Sequence, residues 1–160
     1  MNVAAASAPQ SMRFTGKVAA LLKGKSGHVW SIPPGASIYE AIDLMATCGV
    51  GALPVVEHSA VVGIISERDY ARKVVLQGRN SRDTPVRDIM VSPVITITRD
   101  WTVDDCLRVI SNQKIRHLPV VEQGRLTGMI SIGDLVEWVI QSQERTIQQL
   151  ESYIRGSYPA

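Results

Sequence analysis

The sequence predicts a mixed α/β (α+β) fold of two halves related by a pseudo-twofold axis, with small mixed sheets packed together and helices outside. Three observations carry this prediction. Leu53-Pro-Val-Val-Glu57 followed by Gly63-Ile-Ile-Ser-Glu-Arg-Asp69 recurs 65 positions on, without a gap, as Leu118-Pro-Val-Val-Glu122 and Gly128-Met-Ile-Ser-Ile-Gly-Asp134. Each copy spells strand, helix, strand, strand, helix in its apolar periodicity. Finally, 160 residues with 45% hydrophobic content suffice for one compact domain or two small halves sharing a core, and the repeat favours the halves. A single unit, a small sheet with helices on one face, cannot bury both sheet surfaces; two copies packed sheet to sheet can.

Residues 1–13 are small and polar and read as a disordered tail. Val18, Leu21 and Leu22 predict a turn or two of helix, ended by Gly24 and Gly27. The first unit, 14–78, then has a brief strand over 29–32 stopped by Pro33-Pro34-Gly35. Ser37 with Glu40 forms a capping box for a helix whose apolar face is Ile38, Ala41, Ile42 and Met45. Two short strands follow around a turn at His58-Ser59, and Ser66 starts a helix that gives out at Gly78. Residues 79–84 are a polar linker. Pro85 opens a short helix holding Val86, Ile89 and Met90, the start of the second unit, 85–140. There 94–97 is the strand, Thr102 with Asp105 the capping pair, and Val103, Cys106, Leu107 and Ile110 the apolar face. Residues 141–160 extend the last helix beyond what the repeat needs, with Ile147, Leu150 and Ile154 continuing an apolar stripe from Leu135, Trp138 and Val139.

Composition narrows the function classes. A net charge of only +2 does not suit a protein that coats nucleic acid. No run approaches the roughly 18 apolar residues of a membrane span. Cys48 and Cys106 sit in apolar helical patterns as small hydrophobes, which fits a reducing compartment. The first 27 residues lack acids and faintly resemble a transit peptide, yet no cleavage pattern follows, and a cytoplasmic location is expected. Gly24-Lys25-Ser26 imitates the end of a phosphate-binding loop, but the required first glycine is Ala19 and a helix precedes it. Gly49-Val-Gly-Ala likewise follows a helix and lacks a third glycine, which rejects a dinucleotide fingerprint. No catalytic set and no metal-ligand spacing of histidines or cysteines appears, so neither an enzyme nor a required metal is expected.

Two positions in each copy can carry chemistry. Ser66 and Ser131 stand at strand-to-helix junctions, where free N–H groups and the helix dipole favour a phosphate. One turn on, Asp69 and Asp134 can take both hydroxyls of a ribose. The same Ser-x-x-Asp is also a capping box, and both readings stay open on the residues alone. Gly63 and Gly128 allow close approach by a ligand or another backbone. Arg116 and His117 replace Gly51 and Ala52 of the first copy, giving one half basic side chains and the other bare backbone. Arg116 suits a forked phosphate contact or, alternatively, balances Glu122 at the surface. An adenine would need an apolar slot: Ile32, Val50, Ala52, Leu53 and Pro54 for the first site, and Ile97, Ile115, Leu118 and Pro119 for the second. Those residues would also serve as plain core. Arg68, Arg72, Lys73, Arg79 and Arg82 make a basic edge that either meets phosphate or is simply solvated.

Two copies of this order, each with LPVV before Gly-x-x-Ser-x-x-Asp, resemble a tandem pair of CBS (cystathionine β-synthase) domains, a Bateman module, over about residues 14–140. The stretch from Glu67 to Gln77 is shared with standalone pairs of this family. The resemblance implies a non-enzymatic, regulatory protein binding AMP, ATP or NAD(H), and modulating an unidentified target protein as an energy or redox sensor. It implies phosphate and ribose roles for Ser66, Asp69, Ser131 and Asp134, and phosphate contacts from Arg116. It also implies a homodimer. The competing reading is an interaction or dimerisation scaffold, built on the C-terminal helix, with no physiological nucleotide. The departures between copies, Gly51-Ala52 against Arg116-His117 and Arg68 against Gly133, predict two unequal pockets, with the one that holds Asp69 and faces Arg116 suited to a phosphorylated ligand.

Overall fold

A computed structural model describes residues 14–155; the disordered tail expected over 1–13 and the last five residues of the C-terminal extension lie outside the described residues. The helices are α1 (Val18–Lys23), α2 (Ile38–Cys48), α3 (Glu67–Asp69), α4 (Val103–Gln113) and α5 (Ile132–Ile154), and the strands are β1 (Ala52–Glu57), β2 (Ala60–Ser66), β3 (His117–Glu122) and β4 (Arg125–Ser131). β1 pairs antiparallel with β2, and β3 with β4, in matching registers that carry the same bulge, between Val55 and Val56 and between Val120 and Val121. The expected turn at His58-Ser59 has both residues at positive φ, as does Gln123-Gly124, which fits tight hairpins whose twist matches the strands.

The strands expected over 29–32 and 94–97 shrink to single parallel bridges, Ile32 to Val55 and Ile97 to Val120. In the first unit Ile32 donates to the Pro54 carbonyl and accepts from Val56, and Pro33-Pro34 then offers no N–H to continue a ladder. The helix begun at Ser66 keeps α geometry only through Asp69. It continues as a π-helical stretch over Tyr70–Val75, where Leu76 N–H donates to the Ala71 carbonyl, and turns out at Gly78, whose φ is 64°. The short helix after Pro85 is a 3-10 turn, Val86–Asp88.

Local chemistry accounts for the helix ends. The Ser37 hydroxyl accepts from the Glu40 N–H while Glu40 Oε2 takes the Ser37 N–H at 2.7 Å, and Gly49 closes α2 in the left-handed conformation. At α4, Thr102 accepts from the Asp105 N–H, and the Val103 and Asp104 N–H groups donate to the carbonyls of Gly16 and Phe14.

Two cores result, one per unit. Ile32, Ile38, Ala41, Met45, Leu53, Val55, Ile65, Val74, Val86 and Ile89 form the first. The second gathers Ile97, Val103, Cys106, Ile110, Leu118, Val120, Ile130 and Leu135, and also Val18 and Leu21 from α1. α1, inside the 14–78 span expected for the first unit, is thus part of the second unit's body, while Val86 and Ile89, expected at the start of the second unit, belong to the first core, so space is divided differently from the 14–78 and 85–140 boundaries. The register of α1 is fixed by Val18 and Ala19 N–H groups donating to the carbonyls of Trp101 and Arg99. A Cβ at Gly128 would meet Leu22 at 2.7 Å, and one at Gly63 would meet Met90 Sδ at 2.6 Å and the Val91 carbonyl at 3.0 Å. Both glycines therefore make room for a protein neighbour: α1 in one case, the segment after the 3-10 turn in the other. β2 and β4 face each other where the units meet.

Candidate functional site: two clefts between the units

Each unit presents one Ser-x-x-Asp head, and each head opens into a cleft completed by the other unit. The first cleft, about 650 Å³, brings Ser66, Glu67, Arg68, Asp69 and Arg72 together with Lys114, Ile115, Arg116 and His117 of the second unit. Its apolar wall is Ile64, Val91, Pro93, Val94 and Ile95. The second, about 480 Å³, joins Ser131 and Asp134 to Val50, Gly51, Ala52 and Pro54 of the first unit and to Lys25, His28 and Trp30. Gly51 and His117 border both clefts, and His117 ring atoms lie 3.7 Å from where a Gly51 Cβ would stand.

This crossing corrects the expected slots. Val50, Ala52 and Pro54 border the Asp134 cleft and not the Asp69 cleft, whereas Ile115 borders the Asp69 cleft. The cause is the pseudo-twofold packing, which sets the segment before each LPVV against the opposite unit's helix head. Ile32, Leu53, Ile97 and Leu118 border neither cleft; each is at most 5% exposed and belongs to a core. Pro119 also borders neither, its carbonyl being held by the Ile97 N–H.

Both aspartates act as caps. Asp69 Oδ2 accepts from the Ser66 N–H at 3.0 Å and from the Ser66 hydroxyl at 2.8 Å, while the Asp69 N–H donates back to that hydroxyl. Asp134 Oδ2 accepts from the Ser131 N–H at 2.8 Å, with the reciprocal bond at 3.2 Å. In each carboxylate the capping bonds fall on one oxygen, so a helix cap and a ligand contact are compatible in one side chain. Asp69 Oδ1 meets Lys73 Nζ, one turn along its own helix, at 3.1 Å. The equivalent of Lys73 in the second copy is Trp138, and Asp134 instead takes its cation from outside the repeat: Lys25 Nζ donates to Asp134 Oδ2 at 2.7 Å and to the Met129 carbonyl at 2.8 Å. Burial raises the Asp134 pKa, but the Lys25 ammonium and the Ser131 hydrogen bonds outweigh it and hold the carboxyl below its ordinary value.

The cations divide unequally. Arg68, Arg72, Lys114 and Arg116 border the Asp69 cleft, and Arg68 is steadied by donating to the Lys114 carbonyl at 3.2 Å. Lys25 and Arg99 border the Asp134 cleft, beside His28 and Trp30, whose rings stack edge to face with centroids 4.2 Å apart. His117 lies between. Burial pulls its pKa down, Asp134 raises it, and Lys25, Arg116 and Arg68 lower it further, with a net shift below 6.5 that keeps the ring neutral near pH 7.

Sequence reasoning missed Lys25, His28, Trp30 and Arg99 in the second cleft, and Lys114 and the 91–95 wall in the first. A signal exists for Lys25 alone: its Gly-Lys-Ser setting fits no phosphate-binding loop, yet the docking of α1 on β4 delivers it to Asp134. Arg79 and Arg82 of the basic edge border neither cleft; Arg82 lies 3.8 Å over the Tyr39 ring instead. No group of three or more His, Cys, Asp or Glu suited to a metal ion occurs among the described residues.

Comparison with known proteins matches the CBS domain family model to residues 26–76 and 86–141. The chain is 41% identical over 144 residues to the mitochondrial CBS domain-containing protein CBSX3 of Arabidopsis thaliana, covering 85% of this chain and 69% of that protein. A structure of a protein with CBS domains from Burkholderia ambifaria superposes with a TM-score of 0.76 at 44% identity, covering 79% of this chain and 96% of that one. A CBS domain protein from Pyrobaculum aerophilum, solved in complex with AMP, superposes with a TM-score of 0.67 at 30% identity, covering 74% of this chain and 88% of that one.

Proposed function

This chain belongs to the CBS-domain family, and we propose that it is a regulatory adenosine-nucleotide-binding protein, taking AMP, ATP or NAD(H), that modulates a partner and catalyses no reaction itself. The observation that carries this reading is the Asp69 cleft, where a capped helix head, a carboxylate and the cations Arg68, Arg72, Lys114 and Arg116 surround a space of about 650 Å³ with one apolar wall. That volume falls in the range of small-ligand sites, and the distribution of polarity follows the chemistry of a nucleotide. The purine packs on Ile64, Pro93, Val94 and Ile115, the ribose hydroxyls meet Asp69, and the phosphate is held by Arg116 and Arg68; the Ser66 and Glu67 N–H groups, expected to be free for it, are instead taken by the Asp69 carboxylate and the Gly51 carbonyl. The relative solved with AMP supports an adenosine ligand.

The Asp134 cleft is the weaker phosphate site in this reading, because its nearest cation is already committed to Asp134 and it has fewer others. The two cysteines are free, and burial, with a smaller push from Asp105, lifts the Cys106 thiol to about 11, so it stays protonated and inert; this suits a reducing compartment, cytoplasm included. Among the described residues no helix is long and apolar enough to cross a membrane.

Calorimetry of the full chain against AMP, ADP, ATP, NAD and NADH tests the proposal. Saturable heat with at least AMP is the expected result. Absence of heat with all five at millimolar ligand would sink the reading and return the chain to the scaffold alternative, while turnover of ATP or NADH would revive an enzyme.

A further inference from the structure

α5 outlasts the body it belongs to. Leu135 is fully buried in the second core and Trp138 and Val139 pack against it, yet from Gln143 to the end of the helix every residue is exposed. The exposed aliphatic side chains are Val136, Ile140, Ile147, Leu150 and Ile154, at 47, 51, 55, 58 and 82%. They face away from the core that Leu135 enters. With Gln143 filling the one gap, the positions 136, 140, 143, 147, 150 and 154 advance by alternating steps of four and three. That is the 3.5-residue period of a coiled-coil seam, whose partner must carry the same period. Extended back by one step, the seam starts at Gly133, where a missing side chain lets a second helix come close. Around it Ile132, Val136, Glu137, Ile140 and Gln141 line an apolar depression of about 510 Å³.

The charges choose the orientation. Glu137, Glu144 and Glu151 all flank the same edge of the seam, and the opposite edge is Val139, Thr146 and Tyr153. An antiparallel partner with this sequence would set glutamates against glutamates, whereas a parallel one sets them against the uncharged edge. In the parallel, in-register arrangement Gln143 meets its own copy, amide to amide, while a register slipped by one heptad would lay it on Val136 or Leu150. We propose that α5 pairs in parallel with α5 of a second copy of this chain over residues 133–154, as a two-stranded coiled coil of about three heptads. The pairing holds two pairs of clefts side by side and gives the extension beyond residue 140 a structural purpose. It stands independently of the nucleotide reading.

Cysteine placement on the full chain tests both pairing and orientation. Under mild oxidation the Leu150→Cys chain, on the seam, should form a covalent dimer, and the Gln148→Cys chain, on the outer face, should behave as the parent with its own two cysteines. No cross-link at position 150, or an equal one at 148, overturns the proposal. Sedimentation equilibrium of the Ile147→Asp/Leu150→Asp chain should show self-association weakened at least tenfold with far-UV circular dichroism retained; unchanged association would also overturn it. Absence of AMP heat with the parent chain, while the Leu150→Cys chain still cross-links, would count against the nucleotide reading and leave this one standing.

Discussion

The two clefts carry the same Ser-x-x-Asp head in the same capping geometry, and each aspartate holds a lysine, yet one cleft is bordered by four further cations and the other takes its aspartate's lysine from outside the repeat. Asp69 draws Lys73 from its own helix and leaves Arg68, Arg72, Lys114 and Arg116 around an open space. Asp134 draws Lys25 from α1, a segment outside the repeat, across more than a hundred positions of sequence. The difference shows that the repeat supplies the heads of the sites while non-repeated segments decide what each can take. Because each cleft is completed by the opposite unit, the substitution of Gly51-Ala52 by Arg116-His117 enriches the Asp69 cleft, not the one that shares its own repeat with Arg116.

The largest test of that contrast removes the ribose carboxylates. Asp69→Ala should cost about 1.5–3 kcal/mol of AMP binding by calorimetry, the scale of hydrogen bonds to a charged group, while Asp134→Ala leaves AMP affinity unchanged. Equal losses in the two variants would break the contrast. Next in size, Arg116→Gln should weaken AMP by about 1.5 kcal/mol and leave adenosine, which lacks the phosphate, unaffected. A parallel fall for adenosine would assign Arg116 a packing role instead.

Lys25→Met addresses the other cleft. Losing a partly exposed ion pair should lower stability by roughly 0.2–1 kcal/mol in urea unfolding. It should also let the Asp134 pKa rise towards its ordinary value, read by NMR titration of the carboxyl carbon, and free Asp134 for a nucleoside. An unmoved Asp134 titration would show that the Ser131 cap alone holds it. The smallest effect is the pH dependence at the shared wall. The His117 pKa is held below 6.5 in the folded chain, so as pH falls below about 6.5 the unfolded chain binds a proton that the folded one refuses, and stability declines. His117→Gln should flatten that part of the urea midpoint against pH, and an unchanged slope would place the titration elsewhere.

Much of the fold was legible because it rests on local chemistry. The capping box at Ser37 and Glu40, the tight turn at His58-Ser59 and the 65-position repeat are all spelled by residues close in sequence. The single-residue bridges at Ile32 and Ile97 were not, since whether a short apolar run pairs over one residue or four depends on what its tertiary neighbours offer. The same limit hid the site's composition. Ala52 is Leu53's neighbour on β1 and Ile115 lies just before β3, and only the packing of the opposite unit leaves Ala52 and Ile115 at the clefts while Leu53 and Leu118 enter the cores. Lys25 became a site residue through Leu22, whose fit against Gly128 docks α1 onto β4, a contact that no local pattern encodes.

A crystal structure of the full chain with AMP at one equivalent tests the central claim most directly. AMP is expected in the Asp69 cleft, its ribose hydroxyls within hydrogen-bond distance of the Asp69 carboxylate and its phosphate between Arg68 and Arg116, with Lys25 still on Asp134. AMP seated in the Asp134 cleft alone, or in the Asp69 cleft with its phosphate turned away from both arginines, would contradict it.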